Sequence, residues 1–480
     1  MPVKINENAK FSDDAFMDRF ARHITIPGWG IEEQKKIFNK RILILGNNAL
    51  GEMTLAGLAS FGARNLFYQD YRDNSSPKSY FSNVKRPGTR LERIIKTVSS
   101  INPHAKMYGY KAPFTKLYIN LENFVPEIVI DTTNNTESKE EVLDYLDHNR
   151  GIKLISGVSN ENSCAVSFYD PSKENQEKIL DDILNPKIDL DPEVQGGFTS
   201  TIAAGFIIEE FRKSIFSLRE NDKNSEDTVY YDQNSPDRNS PVRINSPAST
   251  NSLKDQSILV AGCGGIGTYI GLGLAQEGFS RIFFLDMDKV EETNLNRQML
   301  FYDDLGLNKS SSLSKKLQEA YGIRSTALFG KIDGNSKEFF KKHHFDLIFG
   351  GFDNINARFN LNGYAIESGT PYIDGATSYK SGQIVSYIPG KTLCIKCKKG
   401  LHLEEESKGN SCDDSPPSVI SPNMIIGSMI VGEAIKYFSG DYQGIDLSYH
   451  TETNKKITAS ENGHLSKKDC VCSYTKNERT

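Results

Sequence analysis

The chain has 480 residues, of which 38% are hydrophobic and 25% charged, and its formal net charge is -5. This composition predicts a folded protein of two or three domains, and the small acidic excess argues against a dedicated nucleic-acid binder. No apolar run reaches the roughly 18 residues of a membrane span and the N-terminus is polar rather than signal-like, so membrane, secreted and fibrous classes are excluded and a cytoplasmic protein is expected.

The same succession of elements occurs in both halves of the chain. Each half shows a short apolar run, a glycine turn, a helix-like stretch of small residues and a second apolar run closed by Asp. The turn glycine and the closing aspartate are 24 residues apart both times, as Gly46 and Asp70 and as Gly262 and Asp286. The repeat predicts an α/β protein with two Rossmann-like, doubly wound domains.

Residues 221–255 separate the two copies and differ from them in composition. The triplet Asn-Ser-Pro occurs three times in this segment, and large apolar side chains are few. Because such a segment buries too little surface to become ordered, we expect a flexible, exposed linker. The predicted domains are therefore residues 1–220 and 256–472, followed by a tail over 473–480.

A glycine-rich turn follows the first apolar run of the second copy. Glycines at the junction of a strand and a helix let the backbone approach a phosphate chain, and the helix N-terminus offers unpaired N–H groups. Asp286, at the end of the next apolar run, is placed to accept hydrogen bonds from a ribose. The pattern predicts a nucleotide site, and it leaves open whether a dinucleotide or ATP binds. Its glycines are Gly262, Gly264, Gly265 and Gly267.

The side chains that come after Asp286 favour ATP. A nicotinamide enzyme moves hydride and needs no cations clustered around phosphate, whereas nucleotidyl transfer needs them, together with a carboxylate for Mg²⁺. An NAD-dependent oxidoreductase and a merely solvated charged surface are the weaker alternatives. The candidate residues are Asp288, Asn294, Arg297, Gln298, Lys309, Asp353 and Asn354.

These motifs resemble those of the ubiquitin-activating, E1-like superfamily, the ThiF/MoeB/HesA adenylyltransferases. The resemblance covers nearly the whole chain and is most specific over 257–310 and 346–358. It implies ThiF-type domains that use Mg-ATP to adenylate the C-terminal carboxylate of a ubiquitin-like or sulfur-carrier protein ending in Gly-Gly. It also implies ribose contact by Asp286, phosphate contact by Asn294, Arg297 and Lys309, and Mg²⁺ coordination by Asp353.

The first copy lacks groups that this chemistry needs. Asn48 and Ala49 replace two glycines of the turn, and a side chain there would obstruct close approach of phosphate to the backbone. At matched spacing, Asn134 stands where the second copy has Asp353. We therefore predict a degenerate, non-catalytic first domain, with a second site of different ligand preference as the alternative.

A segment that begins at Arg19 resembles the entry sequence of the family, RYxRQxxxPGxG, and it precedes only the first copy. By that resemblance the second arginine, Arg22, reaches into the partner's ATP site like an arginine finger. The chain would then be an internal pseudo-dimer in which one half holds ATP and the other supplies Arg22. Alternatively, Arg22 pairs with a local carboxylate such as Asp18, four residues earlier.

Two pairs of cysteines predict a Zn²⁺ site. Cys394 and Cys397 form a chelating CxxC, and Cys470 and Cys472 supply two more thiolates. Four sulfurs suit a closed tetrahedral site that would hold the C-terminal tail to the domain. The family carries such a site, usually as two CxxC pairs, so the CxC spacing is a departure.

Cys412 lies in a polar segment where some family members place a thioester-forming cysteine. A thiolate there could attack the adenylate. Two aspartates follow it directly, however, and they would raise rather than lower its pKa. A nucleophile and an incidental loop thiol both remain open.

The favoured function is an ATP-dependent enzyme that activates a ubiquitin-like or sulfur-carrier protein, with a conjugating or sulfur-transfer protein as a further partner. One alternative is an enzyme of the same fold that adenylates a short peptide, and another is a nucleotide-binding scaffold without turnover. The pseudo-dimer could also form a homo-oligomer. Neither nucleic acid nor a membrane is expected as a partner.

Overall fold

The computed structural model describes residues 3–5, 13–46, 48–70, 76–112, 124–190, 196–216, 228–239, 253–398, 417–440, 442, 444–453 and 456–461. These residues form two eight-stranded sheets, one in each half of the chain, with helices packed against them. The predicted α/β class with two doubly wound domains is confirmed.

The first half contains eight strands and seven helices within the described residues. The strands are β1 (Val3–Ile5), β2 (Arg41–Leu45), β3 (Asn65–Asp70), β4 (Lys106–Lys111), β5 (Ile128–Asp131), β6 (Lys153–Ser159), β7 (Ser163–Tyr169) and β8 (Val229–Asp232). The helices are α1 (Asp13–Ile24), α2 (Ile31–Asn39), α3 (Ala49–Phe61), α4 (Arg90–Ile101), α5 (Thr136–Asp147), α6 (Glu177–Leu184) and α7 (Phe198–Ile215). The strand order is β1-β4-β3-β2-β5-β6-β7-β8.

The second half repeats this arrangement. Its strands are β9 (Ser257–Ala261), β10 (Arg281–Asp286), β11 (Arg324–Phe329), β12 (Leu347–Gly350), β13 (Tyr372–Thr377), β14 (Ser381–Tyr387), β15 (Ile445–His450) and β16 (Ile457–Glu461). Its α-helices, as far as the chain is described, are α8 (Gly265–Gln276), α9 (Lys309–Tyr321), α10 (Lys337–Lys342), α11 (Ile355–Ser368), α12 (Ile395–Lys398) and α13 (Ile420–Phe438). The order is β11-β10-β9-β12-β13-β14-β15-β16.

Corresponding strands occupy corresponding places in the two sheets. β2 pairs in parallel with β3 on one side and β5 on the other, and β9 does the same with β10 and β12. All five residues of β9 are buried, as expected of a parallel strand covered on both faces. Each central strand therefore ends at a topological switch point, where doubly wound sheets bind their ligands.

The two halves share one hydrophobic core. α7 packs against α13, and buried residues of both helices, such as Phe206 and Ile430, belong to the same apolar cluster. The approach is close, because a Cβ at Gly205 would lie 2.7 Å from Ile425 Cγ1. The chain is thus an internal pseudo-dimer. Although α13 is largely apolar, no helix among the described residues has the length and hydropathy to cross a bilayer.

The prediction of a flexible linker is wrong for residues 228–239. β8 pairs antiparallel with β7 and extends the first sheet, so the first domain continues past residue 220. Val229 and Tyr231 are buried, and Arg238 Nε lies 2.7 Å from Glu433 Oε1 of α13. A short apolar sequence within a polar segment was enough to add an edge strand. Residues 221–227 and 240–252, and the predicted tail, lie outside the described part.

Candidate active site

The glycine turn between β9 and α8 leaves space beside the backbone. Gly262 has φ +91°, a left-handed conformation that glycine adopts without strain. A Cβ at Gly267 would overlap the Gly262 carbonyl oxygen, so this position also requires glycine. Gly264 is the N-cap of α8 and makes no side-chain cap hydrogen bond. The first N–H groups of α8 are therefore available to an anion.

Asp286 ends β10 beside this turn. Its carboxylate accepts hydrogen bonds from the backbone N–H of Cys263 at 2.6 Å and of Asp288 at 2.7 Å. Burial raises the pKa of Asp286, while these hydrogen bonds and the charge of Lys309 act to lower it. Each carboxylate oxygen retains acceptor capacity, so Asp286 can also accept a ribose hydroxyl.

Arg297 and Lys309 bring positive charge to the same place. Arg297 Nη1 donates to the Thr293 carbonyl oxygen at 2.7 Å, and Lys309 Nζ lies 3.0 Å from Asp288 Oδ2. Burial lowers the pKa of Arg297 to about 9, and the charge of Arg22 acts in the same direction. A bound anion beside Arg297 would stabilise the charged guanidinium and so act against both influences, burial and the charge of Arg22.

Two amide side chains, those of Asn294 and Gln298, lie beside Arg297 and Lys309. Asn294 Oδ1 accepts a hydrogen bond from the Glu291 backbone N–H at 3.1 Å, which holds the turn that leads to Arg297. Gln298 Oε1 is buried and accepts no hydrogen bond from the residues described. An unsatisfied buried acceptor is costly, so Gln298 is suited to receive a donor from a bound ligand.

The first half contributes α1 to this site. Arg19 Nε on α1 donates to Glu292 Oε1 at 2.8 Å, and α1 packs on the 3₁₀ helix Glu292–Asn294 of the second half. Arg22 lies one turn further along α1, half-buried, where it lines the same cavity as the glycine turn. The docking of α1 thus carries an arginine of the first half into the site of the second.

The electrostatic environment of Arg22 also comes from the second half. Burial lowers the pKa of the guanidinium, and the carboxylates that act to raise it are Asp353 and Glu291. This favours a role for Arg22 in the second-half site over a purely local role beside Asp18.

Asp353 and Asn354 follow β12, at the switch point. Asp353 is exposed and lines the cavity. Asn354 is the N-cap of α11, and its Oδ1 accepts from the backbone N–H groups of Asn356 at 2.8 Å and Ala357 at 3.3 Å. The oxygen of Asn354 is thus used by the helix, and its N–H₂ group is what it can offer a ligand.

A single cavity of about 750 Å³ joins these groups, which is large enough for a nucleotide. Gly267 does not line it and acts through the backbone geometry described above. The predicted residues that line the cavity are Arg22, Gly262, Gly264, Gly265, Asp286, Asp288, Asn294, Arg297, Gln298, Lys309, Asp353 and Asn354.

An ion-pair cluster that the sequence did not indicate occupies the matching place in the first half. Arg90 opens α4 as Lys309 opens α9. Its guanidinium donates to Asp70 Oδ2 and, at 2.5 Å, to Glu52 Oε1, and all three side chains are buried. Asn48 caps α3 by accepting from the backbone N–H of Gly51 at 2.9 Å. In the first half, therefore, the cation is paired with Glu52 and Asp70 and the helix N-terminus is capped by Asn48, at the places that a phosphate would otherwise contact.

The cysteine predictions fall partly outside the described residues. Cys394 is buried and Cys397 half-buried, on either side of the start of α12. Cys412, Cys470 and Cys472 lie in segments that are not described. Within the described ranges, no group of three or more His, Cys, Asp or Glu side chains is arranged to hold a metal. The zinc site and the nucleophile stay predictions.

Fold and site together define an α/β protein built from two copies of one domain, with a cavity in the second copy that is lined by a glycine turn and by basic and acidic side chains. The ThiF family model matches residues 20–250 and again residues 237–474. The chain belongs to the ThiF family.

Several curated proteins are similar to part of the chain. The NEDD8-activating enzyme E1 catalytic subunit of Arabidopsis thaliana is 33% identical over 173 residues, which are 33% of this chain and 38% of that protein. The adenylyltransferase and sulfurtransferase MOCS3 of Xenopus laevis is 31% identical over 204 residues, 41% of this chain and 44% of that protein. The chain thus spans less than half the length of these relatives. Among solved structures, E. coli MccB with selenomethionine MccA aligns with a TM-score of 0.41 and 23% identity, over 47% of this chain and 68% of that one.

Proposed function

We propose that this protein adenylates the C-terminal carboxylate of a ubiquitin-like or sulfur-carrier protein at the expense of ATP. The observation that carries the proposal is the meeting of Arg22 from the first half with Arg297, Lys309 and Asp353 of the second around one cavity. Three cations beside a helix N-terminus suit a triphosphate, whereas hydride transfer needs no such cluster. Membership of the ThiF family, and relatives named as NEDD8-activating and adenylyltransferase enzymes, support the same proposal.

The chemistry requires positioning and charge stabilisation. A carboxylate oxygen attacks the α-phosphorus of ATP, the bond from that phosphorus to the bridging oxygen breaks, and pyrophosphate leaves with the electron pair. The carboxylate is already ionised near neutral pH, so no strong general base is needed. The N-terminus of α8 would hold the phosphates and Asp286 the ribose, while Arg22 and Arg297 would lie beside oxygens that gain charge.

Asp353 is the residue that would hold Mg²⁺. Its exposed carboxylate at the cavity supplies the hard oxygen ligand that this ion prefers, with phosphate oxygens and water as the remaining ligands. Bound there, Mg²⁺ would neutralise charge on the departing pyrophosphate. In the first half, Asn134 stands at the matching position, and its Nδ2 donates to the Ser159 carbonyl oxygen at 2.7 Å. We therefore assign one active site, built on residues 256–472 and completed by Arg22 of the first half.

Two further features of the proposal concern cysteines. Cys394 and Cys397, together with Cys470 and Cys472, would hold one structural Zn²⁺, and metal analysis should find one zinc per chain that Cys394→Ser removes. Cys412 would accept the activated carboxyl group as a thioester: its thiolate would bond to the carbonyl carbon of the acyl-adenylate while the bond from that carbon to the phosphate oxygen breaks and AMP leaves. In Cys412→Ala, adenylation should persist while any thiol-labile conjugate disappears; loss of adenylation would contradict this order of steps. Reduced thiols in these roles suit a cytoplasmic location.

The direct test of the proposed function is ATP–pyrophosphate exchange. A carrier protein that ends in a free Gly-Gly carboxylate should stimulate exchange, and the same carrier with an amidated C-terminus should not. Stimulation by a short peptide but by no folded carrier would instead support the peptide-adenylating alternative. Absence of exchange with either class, while ATP binds, would support a scaffold and refute an adenylating enzyme.

A further inference from the structure

A buried network adjoins the loop that carries Asp353. Arg358, in α11, donates to Asp374 Oδ2 on β13 at 2.7 Å and also to the Phe352 carbonyl oxygen. The Tyr372 hydroxyl donates to the other carboxylate oxygen of Asp374 at 2.8 Å. The side chains of Arg358 and Asp374 are 9% and 1% exposed. A satisfied network this deeply buried has few alternative arrangements.

The network fixes the backbone on the N-terminal side of Asp353. The Phe352 carbonyl belongs to the peptide bond that leads into Asp353, and Arg358 holds it. On the C-terminal side, Asn354 is held as the N-cap of α11. Asp353 is therefore anchored by both of its neighbours, so that the position of its carboxylate depends mainly on its own side-chain torsions.

The packing around β12 makes room for this network. A Cβ at Gly350 would lie 2.7 Å from Asp374 Oδ1 and closer still to the Tyr372 hydroxyl. At the matching place in the first half, the strand ends in Asp131 instead. The buried carboxylate thus belongs to β5 itself in the first copy, as Asp131, and to the neighbouring strand β13 in the second copy, as Asp374.

The first copy has a buried cation at the position of Arg358, but this cation makes different contacts. Lys139 occupies the position of Arg358, five residues after Asn134 as Arg358 is five after Asp353. Its ammonium group pairs with Asp131 Oδ2 and donates to Ser156 Oγ at 2.7 Å. Asp131 Oδ1 in turn accepts from Thr133 Oγ1 at 2.7 Å. In the second copy, which has Asp353, the buried cation Arg358 thus contacts the carbonyl group that precedes this residue. In the first copy, which has Asn134 instead, the cation Lys139 contacts Ser156.

We infer that Arg358 and Asp374 are positioning residues that hold the Asp353 carboxylate in place for a divalent cation. Asp374 does not line the cavity and so acts through Arg358 and the Phe352 peptide. The inference rests on the proposed function, because it concerns the same Mg²⁺ and ATP.

The test compares Asp374→Asn with Asp131→Asn. Both substitutions neutralise the carboxylate partner of a buried cation, one in each copy, and both should lower the melting temperature. Only Asp374→Asn should weaken binding of Mn²⁺ in the presence of ATP, measured by electron paramagnetic resonance, by about 10- to 100-fold, the usual range for residues that orient metal ligands. Equal weakening in both variants, or none in Asp374→Asn, would overturn the inference.

Arg358→Lys separates charge from geometry. A lysine keeps a cation beside Asp374 but lacks the two-pronged guanidinium that also reaches the Phe352 carbonyl. We expect its melting temperature to stay nearer to wild type than that of Asp374→Asn, and its Mn²⁺ affinity to fall. Full Mn²⁺ affinity in Arg358→Lys would contradict a role for the contact with Phe352.

Asp353→Ala distinguishes failure of this inference from failure of the proposed function. If Asp353→Ala binds Mn²⁺ and ATP as the wild type does, the metal assignment itself fails. If Asp353→Ala loses Mn²⁺ while Asp374→Asn retains it, only the positioning role fails.

Discussion

Replacing Arg22 by alanine tests whether the first half takes part in catalysis. The guanidinium is half-buried in the cavity, close enough to Arg297 to lower the pKa of that residue and within the field of Asp353. A hydrogen bond to a charged group contributes about 1.5–3 kcal/mol, which corresponds to a roughly 10- to 150-fold loss in kcat/KM. A larger loss would indicate that the contact is made mainly in the transition state, as for an arginine finger.

The assay is ATP–pyrophosphate exchange at several ATP concentrations, with ATP binding measured in parallel by calorimetry. Arg86→Ala is the matched control, because Arg86 Nη2 also bridges the halves, 2.8 Å from Asp303 Oδ2, but lies outside the cavity. We expect kcat/KM for exchange to fall about 10- to 150-fold in Arg22→Ala and to stay near the wild-type value in Arg86→Ala. Wild-type exchange in Arg22→Ala would refute the participation of the first half in the reaction.

Two further predictions concern stability. Burial lowers the pKa of His23 to about 3 from 6.5, so the native state loses stability as pH falls from about 6.5 toward 3; between pH 6.5 and 5 this amounts to about 2 kcal/mol. Urea unfolding at pH 6.5 and pH 5 should show this stability difference shrinking in His23→Asn. The difference should persist in His148→Asn, the control, because His148 is exposed. An unchanged difference in His23→Asn would contradict the assignment of the pH dependence to His23. Arg238→Met leaves Glu433 buried without its partner and should cost about 3–5 kcal/mol of unfolding free energy, largely recovered in Arg238→Met/Glu433→Leu. A small loss in the single variant would show that residues 228–239 are not anchored through this pair.

The repeated elements and most of the second-half site could be predicted from the sequence. The spacing from Gly262 to Asp286 depends on local strand–turn–helix geometry, so the sequence alone predicted that the glycine turn and Asp286 lie side by side. Arg22 was a different case, because its approach to the cavity depends on the docking of the two halves. The resemblance to a family of dimers indicated it, and periodicity alone would not have done so.

What the sequence did not reveal depends on tertiary contacts. Arg90 is 20 residues from Asp70, whereas Lys309 is 23 from Asp286, so matched spacing concealed that both residues open equivalent helices. Glu52 gave no signal of its own, because its partner Arg90 is 38 residues away. The edge strand β8 was hidden because three apolar residues in a polar segment suffice once β7 is there to pair with them.

The most direct test of a single active site in the second half is pyrophosphate exchange in Asp353→Ala and Asn134→Ala, which remove equivalent side chains from the two copies. We predict that Asp353→Ala abolishes carrier-stimulated exchange, while Asn134→Ala retains most of it and differs mainly in stability. Comparable losses in both variants, or full exchange in Asp353→Ala, would contradict the assignment of ATP chemistry to residues 256–472.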